Sequence, residues 1–235
     1  MINDIHFPDV LTGHQLDEYL AKGWFRMGQT IFTTDILPVG MNIHPVYWLR
    51  YFVPKVRYGK KQERLFTINN EFTVTIKPFL LSEELEFLYA SYLAIIDFDA
   101  PPDVRSFLFD ADTHNIYDTQ LIEIRDAGSL IAAGIFDKGE NSIAGIMNFY
   151  DPAYKAKSMG KYLMLLKINY AIASGKLYYY PGYIAGGFSK FDYKLFPDPA
   201  AAELYDAKHE RWVAYDKSFL SGKLTLDEDG YWAGE

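Results

Sequence analysis

The stretch with the most chemical content runs from Tyr150-Asp151-Pro152 to Lys157-Ser158-Met159-Gly160-Lys161-Tyr162. A β-prone run ends, a polar loop follows, and a helix-forming run opens on a Ser/Gly pair with lysines on both sides. The first N–H groups of a helix have no intrahelical partner, and the helix dipole places positive charge there. Such a start can hold an anion such as phosphate. Gly160 would let that anion approach the backbone closely. The same residues also make an ordinary capped helix with a glycine in its first turn, and spacing alone favours that reading.

Charge is unevenly spread over a chain whose formal net charge is −8. Between Val53 and Arg64 the cations Lys55, Arg57, Lys60, Lys61 and Arg64 face Glu63 alone. Between Asn141 and Pro197 seven lysines face Asp151 and Asp192. The stretches Asp97 to Glu140 and Asp198 to Glu235 are acidic. The negative total argues against nonspecific binding to nucleic acid. The basic segments are either two solvated lysine faces or two surfaces meeting around a polyanion, and composition favours the first. Arg50 lies within the apolar run Tyr47 to Val53, and a guanidinium buried there needs an anionic partner, phosphate or carboxylate.

Several chemistries are missing their residues. There is no cysteine, hence no thiolate nucleophile, disulfide or thiolate-held metal. Neither a G-x-S-x-G elbow nor H-E-x-x-H occurs. The histidines His6, His14, His44, His114 and His209 lack metal-ligand spacing and read as scattered surface or structural residues, with His44 the one to watch. No metal and no cofactor is expected.

The 235 residues, 49% of them hydrophobic, suffice for one large domain or two small ones. No apolar run reaches the ~18–20 residues that span a bilayer, and the N-terminus lacks a signal-peptide pattern, so a cytoplasmic location is expected. A short helix is predicted over His14 to Lys22, and a strand over Tyr47 to Val53, stopping at Pro54. A second strand is predicted over Glu71 to Pro78, and a helix from the Ser82 cap to about Ile96. Pro101-Pro102 opens a short helix. Gln120 to Arg125 and Ser129 to Phe136 form a hairpin across Asp126-Ala127-Gly128, and Ser142 to Tyr150 is a third strand. Ser158 caps a largely buried helix from Met159 to about Ser174, stopped by Gly175. Leu177 to Ile184 is a strand whose Pro181-Gly182 marks an edge or a bulge. Pro199 to Tyr215 reads as a closing helix. The order predicts an α/β or α+β sheet with a crossover helix.

Lys157-Ser158-Met159-Gly160 is similar to the R/Q-x-x-G-x-G/A pyrophosphate loop of the GNAT acyltransferase fold, with Tyr162 at the last small position. That departure weakens a coenzyme A reading. At greater length the chain resembles the arginyl-tRNA–protein transferase family. The matching residues are Leu130-Ile131-Ala132-Ala133-Gly134-Ile135-Phe136-Asp137, Phe149-Tyr150-Asp151-Pro152 and Lys157 to Tyr162. Further matches are Ala171, Gly175, Tyr178-Tyr179-Tyr180, Gly182-Tyr183 and Lys190-Phe191-Asp192-Tyr193-Lys194 before Pro197. Leu49-Arg50, Lys60-Lys61-Gln62-Glu63-Arg64 and Asn69-Asn70 look like its L-R, S-x-x-Q-x-R and R-x-N elements. The resemblance covers most of Leu20 to Pro197, most closely from Leu121. The family's cysteine cluster is missing; Gly40-Met41-Asn42-Ile43-His44-Pro45-Val46 stands in its place.

The resemblance implies a GNAT-like sheet and transfer of arginine, or leucine as in bacterial relatives, from aminoacyl-tRNA to an N-terminal Asp or Glu, marking proteins for degradation. The ester donor is already activated and the α-amine has pKa ~7.7–8.0, so positioning and oxyanion stabilisation matter more than a covalent nucleophile. Under this resemblance Asp137, at a strand end facing the expected cleft, is a candidate base or amine-orienting group, or else a turn residue. Tyr180, where the strands splay, would steady developing charge or pack in the core. Lys190, Tyr193 and Lys194, with Arg50, would bind the acidic acceptor. Lys157, Ser158, Gly160, Lys161, Lys60, Lys61 and Arg64 would bind phosphate and tRNA. The expected organisation is an N-terminal subdomain at 1–75, a catalytic domain at 76–197, and an acidic C-terminal helix and tail at 198–235. The rival functions are an acetyl-CoA-dependent N-acetyltransferase and an inert adaptor for tRNA or N-termini.

Overall fold

The computed structural model describes residues 3–97, 100–109, 114–221, 224–226 and 232–234, the last two segments by their backbone only. Strand β1 (Asn3–His6), helix α1 (Gly13–Ala21) and strands β2 (Phe25–Met27) and β3 (Thr30–Thr34) form an N-terminal layer, with the strands ordered β1-β3-β2. A reciprocal capping box between Thr12 and Gln15 starts α1. There follow β4 (Ile36–Val39), β5 (Asn42–Phe52), α2 (Lys60–Asn69), β6 (Thr73–Pro78), α3 (Glu83–Leu93) and α4 (Val104–Phe109). Next come β7 (Thr119–Asp126), β8 (Ser129–Lys138), β9 (Ser142–Tyr150), α5 (Met159–Ala173) and β10 (Tyr178–Ala185). The hairpin β11 (Ala202–Asp206) and β12 (Arg211–Ala214) follows.

A nine-stranded sheet takes the order β12-β11-β5-β10-β9-β8-β7-β6, with β4 attached to β5. The expected α/β sheet with its crossover helix is present. Among the described residues only β9 and β10 run parallel, and the crossover that parallel strands demand is α5. This helix is apolar nearly all round, and Leu163, Leu165 and Ile168 sink into a core with Leu49, Tyr51, Phe136, Tyr179, Ile184 and Leu204. A second cluster joins α3 and α4 to the sheet through Leu85, Leu88, Leu108, Leu121 and Phe149. A third joins α1 and β3 to it through Leu16, Leu20, Ile31, Ala144 and Tyr180.

Two expectations are corrected, and one open alternative is decided. Pro199 to Tyr215 is not a helix: β11 and β12 pair antiparallel, and β11 adds to β5 through Ala202↔Tyr51, Glu203↔Arg50 and Leu204↔Leu49. The helix-forming alanines yield to the free main-chain groups along β5, which need a ladder partner. β10 is not an edge. It lies between β5 and β9, and Pro181 sits where the β5 register shifts between Tyr179 and Gly182, so its missing N–H falls at a bulge. Ser158 adopts φ 54° and makes no side-chain cap on α5. The expected boundary near 75 falls within β6, and the sheet continues past 198 into β11, so segments from all three expected parts share one sheet. Among the described residues no helix is long and apolar enough to cross a membrane.

Candidate functional site

β9 and β10 pair only through Tyr178↔Ser142, Tyr179↔Ile143 and Tyr180↔Ala144, then part. Beyond that point β10 stays on β5, where Gly186 N–H donates to Pro45 O at 2.9 Å. Antiparallel pairs alternate between bonded and non-bonded, so the main-chain groups of Tyr183, opposite Trp48, point away from β5 and into the opening toward β9. Lys194 Nζ donates to Tyr183 O at 3.0 Å. The ammonium lies 5.1 Å from the centre of the Tyr183 ring and 5.0 Å from that of Phe191. Gly182 has φ +96°, and a Cβ there would stand 2.9 Å from Lys194 Nζ, so glycine serves both the backbone and the ammonium. Tyr51 hydroxyl holds the Lys194 carbonyl at 2.7 Å. Burial lowers the Lys194 pKa to about 7. On the facing strand Gly145 leaves room for the Tyr179 hydroxyl, which would lie 2.7 Å from a Cβ.

Tyr180 stands where the strands part, packed 5.6 Å from the Trp212 ring, and is 4% exposed. Burial pushes its hydroxyl up to about 12, against the opposing pull of Arg50. Arg50 has an anionic partner within the chain: its Nε donates to Glu203 Oε2 at 2.7 Å, and its guanidinium lies over Tyr178 and Trp212 at 4.2 and 4.3 Å. The expected external phosphate or carboxylate is therefore not needed to satisfy it. Lys190 and Tyr193 lie exposed on the turn Ser189–Leu195, so the structure separates Lys190 from Lys194.

At the start of α5 Lys157 is engaged by Glu71 Oε1 at 2.5 Å and Ile68 O at 3.1 Å. Lys161 is exposed over the Phe196 ring at 4.9 Å, and Gly160 lies against Tyr150. Helix α2 packs onto this turn: Asn69 Nδ2 donates to Lys157 O at 3.1 Å, and the Phe66 and Tyr162 rings meet at 5.9 Å. The two basic segments are thus neighbours. Lys60, Lys61 and Arg64 are exposed on α2 and form no ion pair with the described residues. Among the described residues no cluster of three or more His, Asp or Glu could hold a metal, and His44 Nδ1 pairs with Gly186 O at 2.9 Å.

Residues 84–201 match the family model described as arginine-tRNA-protein transferase, C terminus. The chain belongs to this family. An aspartate/glutamate leucyltransferase from Saccharophagus degradans is 28% identical over 200 residues, 82% of this chain and 81% of that protein. Another from Leptospira interrogans is 23% identical over 219 residues, 89% of this chain and 82% of that one. A solved GCN5-related N-acetyltransferase-like protein from Streptococcus suis shares 9% identity with a TM-score of 0.34, covering 72% of this chain and 62% of that one.

In this transferase Asp137 does not face the cleft, which corrects its expected placement. It is 0% exposed, and its Oδ1 accepts from Arg26 Nη1 at 2.9 Å and from Thr119 Oγ1 at 2.6 Å. Burial raises its carboxyl pKa, opposed by Arg26. Arg26 comes from β2 and also donates to Leu108 O and Gly28 O. An acceptor amine cannot reach this carboxylate.

Sequence reasoning missed Arg26, Glu203 and Lys167. Nothing local marks the first two. Lys167 had a signal, as the one cation inside the apolar run Leu163 to Ile172. It is 1% exposed, and burial lowers its pKa to about 7, with Asp137 pulling the other way.

Proposed function

We propose that this transferase moves arginine or leucine from aminoacyl-tRNA to the α-amine of proteins beginning with Asp or Glu, marking them for degradation, and that transfer occurs in the opening between β9 and β10. The observation that carries this reading is the Lys194 ammonium, lodged at that opening with no carboxylate ion-pair partner among the described residues. An acidic first residue of an acceptor supplies the charge it lacks, while exposed Lys190 and Tyr193 flank the approach. The amine nitrogen attacks the ester carbonyl. A C–N bond forms, the C–O bond to the terminal ribose breaks, and the proton lost by nitrogen ends on the leaving hydroxyl.

Tyr183 N–H, aimed into the opening, and Tyr180, still protonated at neutral pH, are the donors assigned to the developing oxyanion. The exposed cations of α2, with Lys161, Ser158 and Gly160 at the start of α5, are assigned to the phosphates of the acceptor stem. Lys157 contributes from beside them once Glu71 is displaced. The deciding experiment incubates the protein with labelled arginyl-tRNA or leucyl-tRNA and peptides varied at the first residue. Transfer onto Asp- and Glu-initiated peptides is expected. Acetyl transfer from acetyl-CoA, or tRNA binding without transfer, would overturn the reading in favour of an acetyltransferase or an adaptor.

A further inference from the structure

The strand β9 leaves β10 at a defined irregularity. Its pairing with β8 runs Ile135↔Met147 and then Phe136↔Gly145, so Ile146 is unmatched. Such an extra residue bends the strand that carries it and leaves main-chain groups outside the ladder. The unmatched Ile146 stands two residues beyond Ala144, the last residue of β9 to pair with β10. From the far side of the sheet, Lys167 on α5 reaches into it. Its Nζ donates to Ile135 O at 2.7 Å, Met147 O at 3.0 Å and Asn148 Oδ1 at 2.8 Å. An ammonium has three donors and no acceptor, so the count is complete. Gly134 lets the helix come this close: a Cβ there would lie 3.0 Å from Leu163 and 3.4 Å from Lys167 Cε.

A lysine in a 1%-exposed position with no carboxylate in salt-bridge contact is costly to keep. Packing alone would be served by leucine or methionine. The three acceptors are the distinctive feature: Ile135 on β8 and Met147 on β9 form the pair that borders the register shift, and Asn148 is the next residue of β9.

We propose that Lys167 is a positioning residue for the transfer: it holds the bend by which β9 parts from β10, and so sets the width of the opening that receives the acyl group. This rests on the reading that transfer occurs in that opening. Lys167 touches no substrate; it acts through Ile135, Met147 and Asn148.

The test compares wild type with Lys167→Met, Lys167→Gln and Asn148→Ala. The readouts are single-turnover transfer, aminoacyl-tRNA affinity, thermal unfolding, and hydrogen exchange of the amides from Gly145 to Asn148. Lys167→Met should lower the transfer rate roughly tenfold to a hundredfold, as a small misplacement does, with tRNA affinity within about twofold and faster exchange at the bend. Lys167→Gln keeps two N–H donors and should recover most of the rate. Asn148→Ala removes one acceptor without burying anything new, and should speed exchange and slow transfer by a smaller factor. If Lys167→Met does not fold, Asn148→Ala decides. Wild-type rate and exchange in a folded Lys167→Met, or in Asn148→Ala where that variant decides, overturns the proposal. So does a loss in Lys167→Met that tracks thermal unfolding alone and is not rescued by Gln. Failure of the wild type to transfer anything defeats the transfer-site reading instead, and with it any role of Lys167 in transfer, while exchange still reports whether Lys167 holds the bend.

Discussion

Arg26 and Asp137 stand 111 positions apart and share an ion pair of 2.9 Å, with side-chain exposures of 2% and 0%. The pair ties the N-terminal layer to the end of β8. Removing one member leaves the other charge buried and unpaired, which costs about 3–5 kcal/mol. Asp137→Asn and Arg26→Met should each lose that much in urea unfolding. The double variant Arg26→Met/Asp137→Leu should lose less than the sum, because no lone charge remains. A loss below about 1 kcal/mol for Asp137→Asn would mean that water reaches the carboxylate, and would return Asp137 to consideration as a base.

Lys194→Ala should raise KM for an Asp-initiated peptide at least tenfold over its effect on a neutral one. A charge-assisted pair in a partly dry site is worth ~1.5–3 kcal/mol. The wild-type preference for the acidic peptide should fade as pH rises through about 7, where Lys194 sheds its proton. Equal, small effects on both peptides would show that this ammonium only caps Tyr183 O.

Reversing Lys60, Lys61 and Arg64 to Glu should weaken aminoacyl-tRNA binding and flatten its salt dependence by roughly two to three units of log affinity per log salt. These side chains are exposed, so circular dichroism should be unchanged. A salt slope equal to that of wild type would leave α2 as a solvated face.

Lys167 and Lys194 both titrate near 7 in the folded chain, against about 10.4 when unfolded. Between these values the unfolded state binds more protons, so these groups make stability rise with pH over that window. The urea midpoint of wild type should therefore gain more between pH 7 and pH 9 than that of Lys167→Met/Lys194→Met. Parallel curves would mean that both lysines titrate at ordinary values.

Much of the frame was legible locally. The Asp126-Ala127-Gly128 turn, the β-prone runs of β7 to β9, and the mostly apolar α5 stopped by Gly175 each depend on residues within a few positions of one another. The run from Leu121 to Pro197 carried the family resemblance for the same reason: its spacings are contiguous. The C-terminal hairpin was misread because its alanines prefer helix locally, whereas the unpaired side of β5, some 150 residues earlier, accepts a strand.

Charge partners were the least legible. Arg50 could be seen to need an anion, but Glu203 is 153 positions away and meets it through the β5–β11 register. Lys190 and Lys194 look equivalent in a string of letters, yet the turn Ser189–Leu195 leaves one on the surface and sends the other to the parting strands. Residue types and near-neighbour spacing specify which elements form, because hydrogen bonding and hydrophobic period are short-ranged. Which charge is buried, and against what, depends on strand order and register, which arise only when the whole sheet closes.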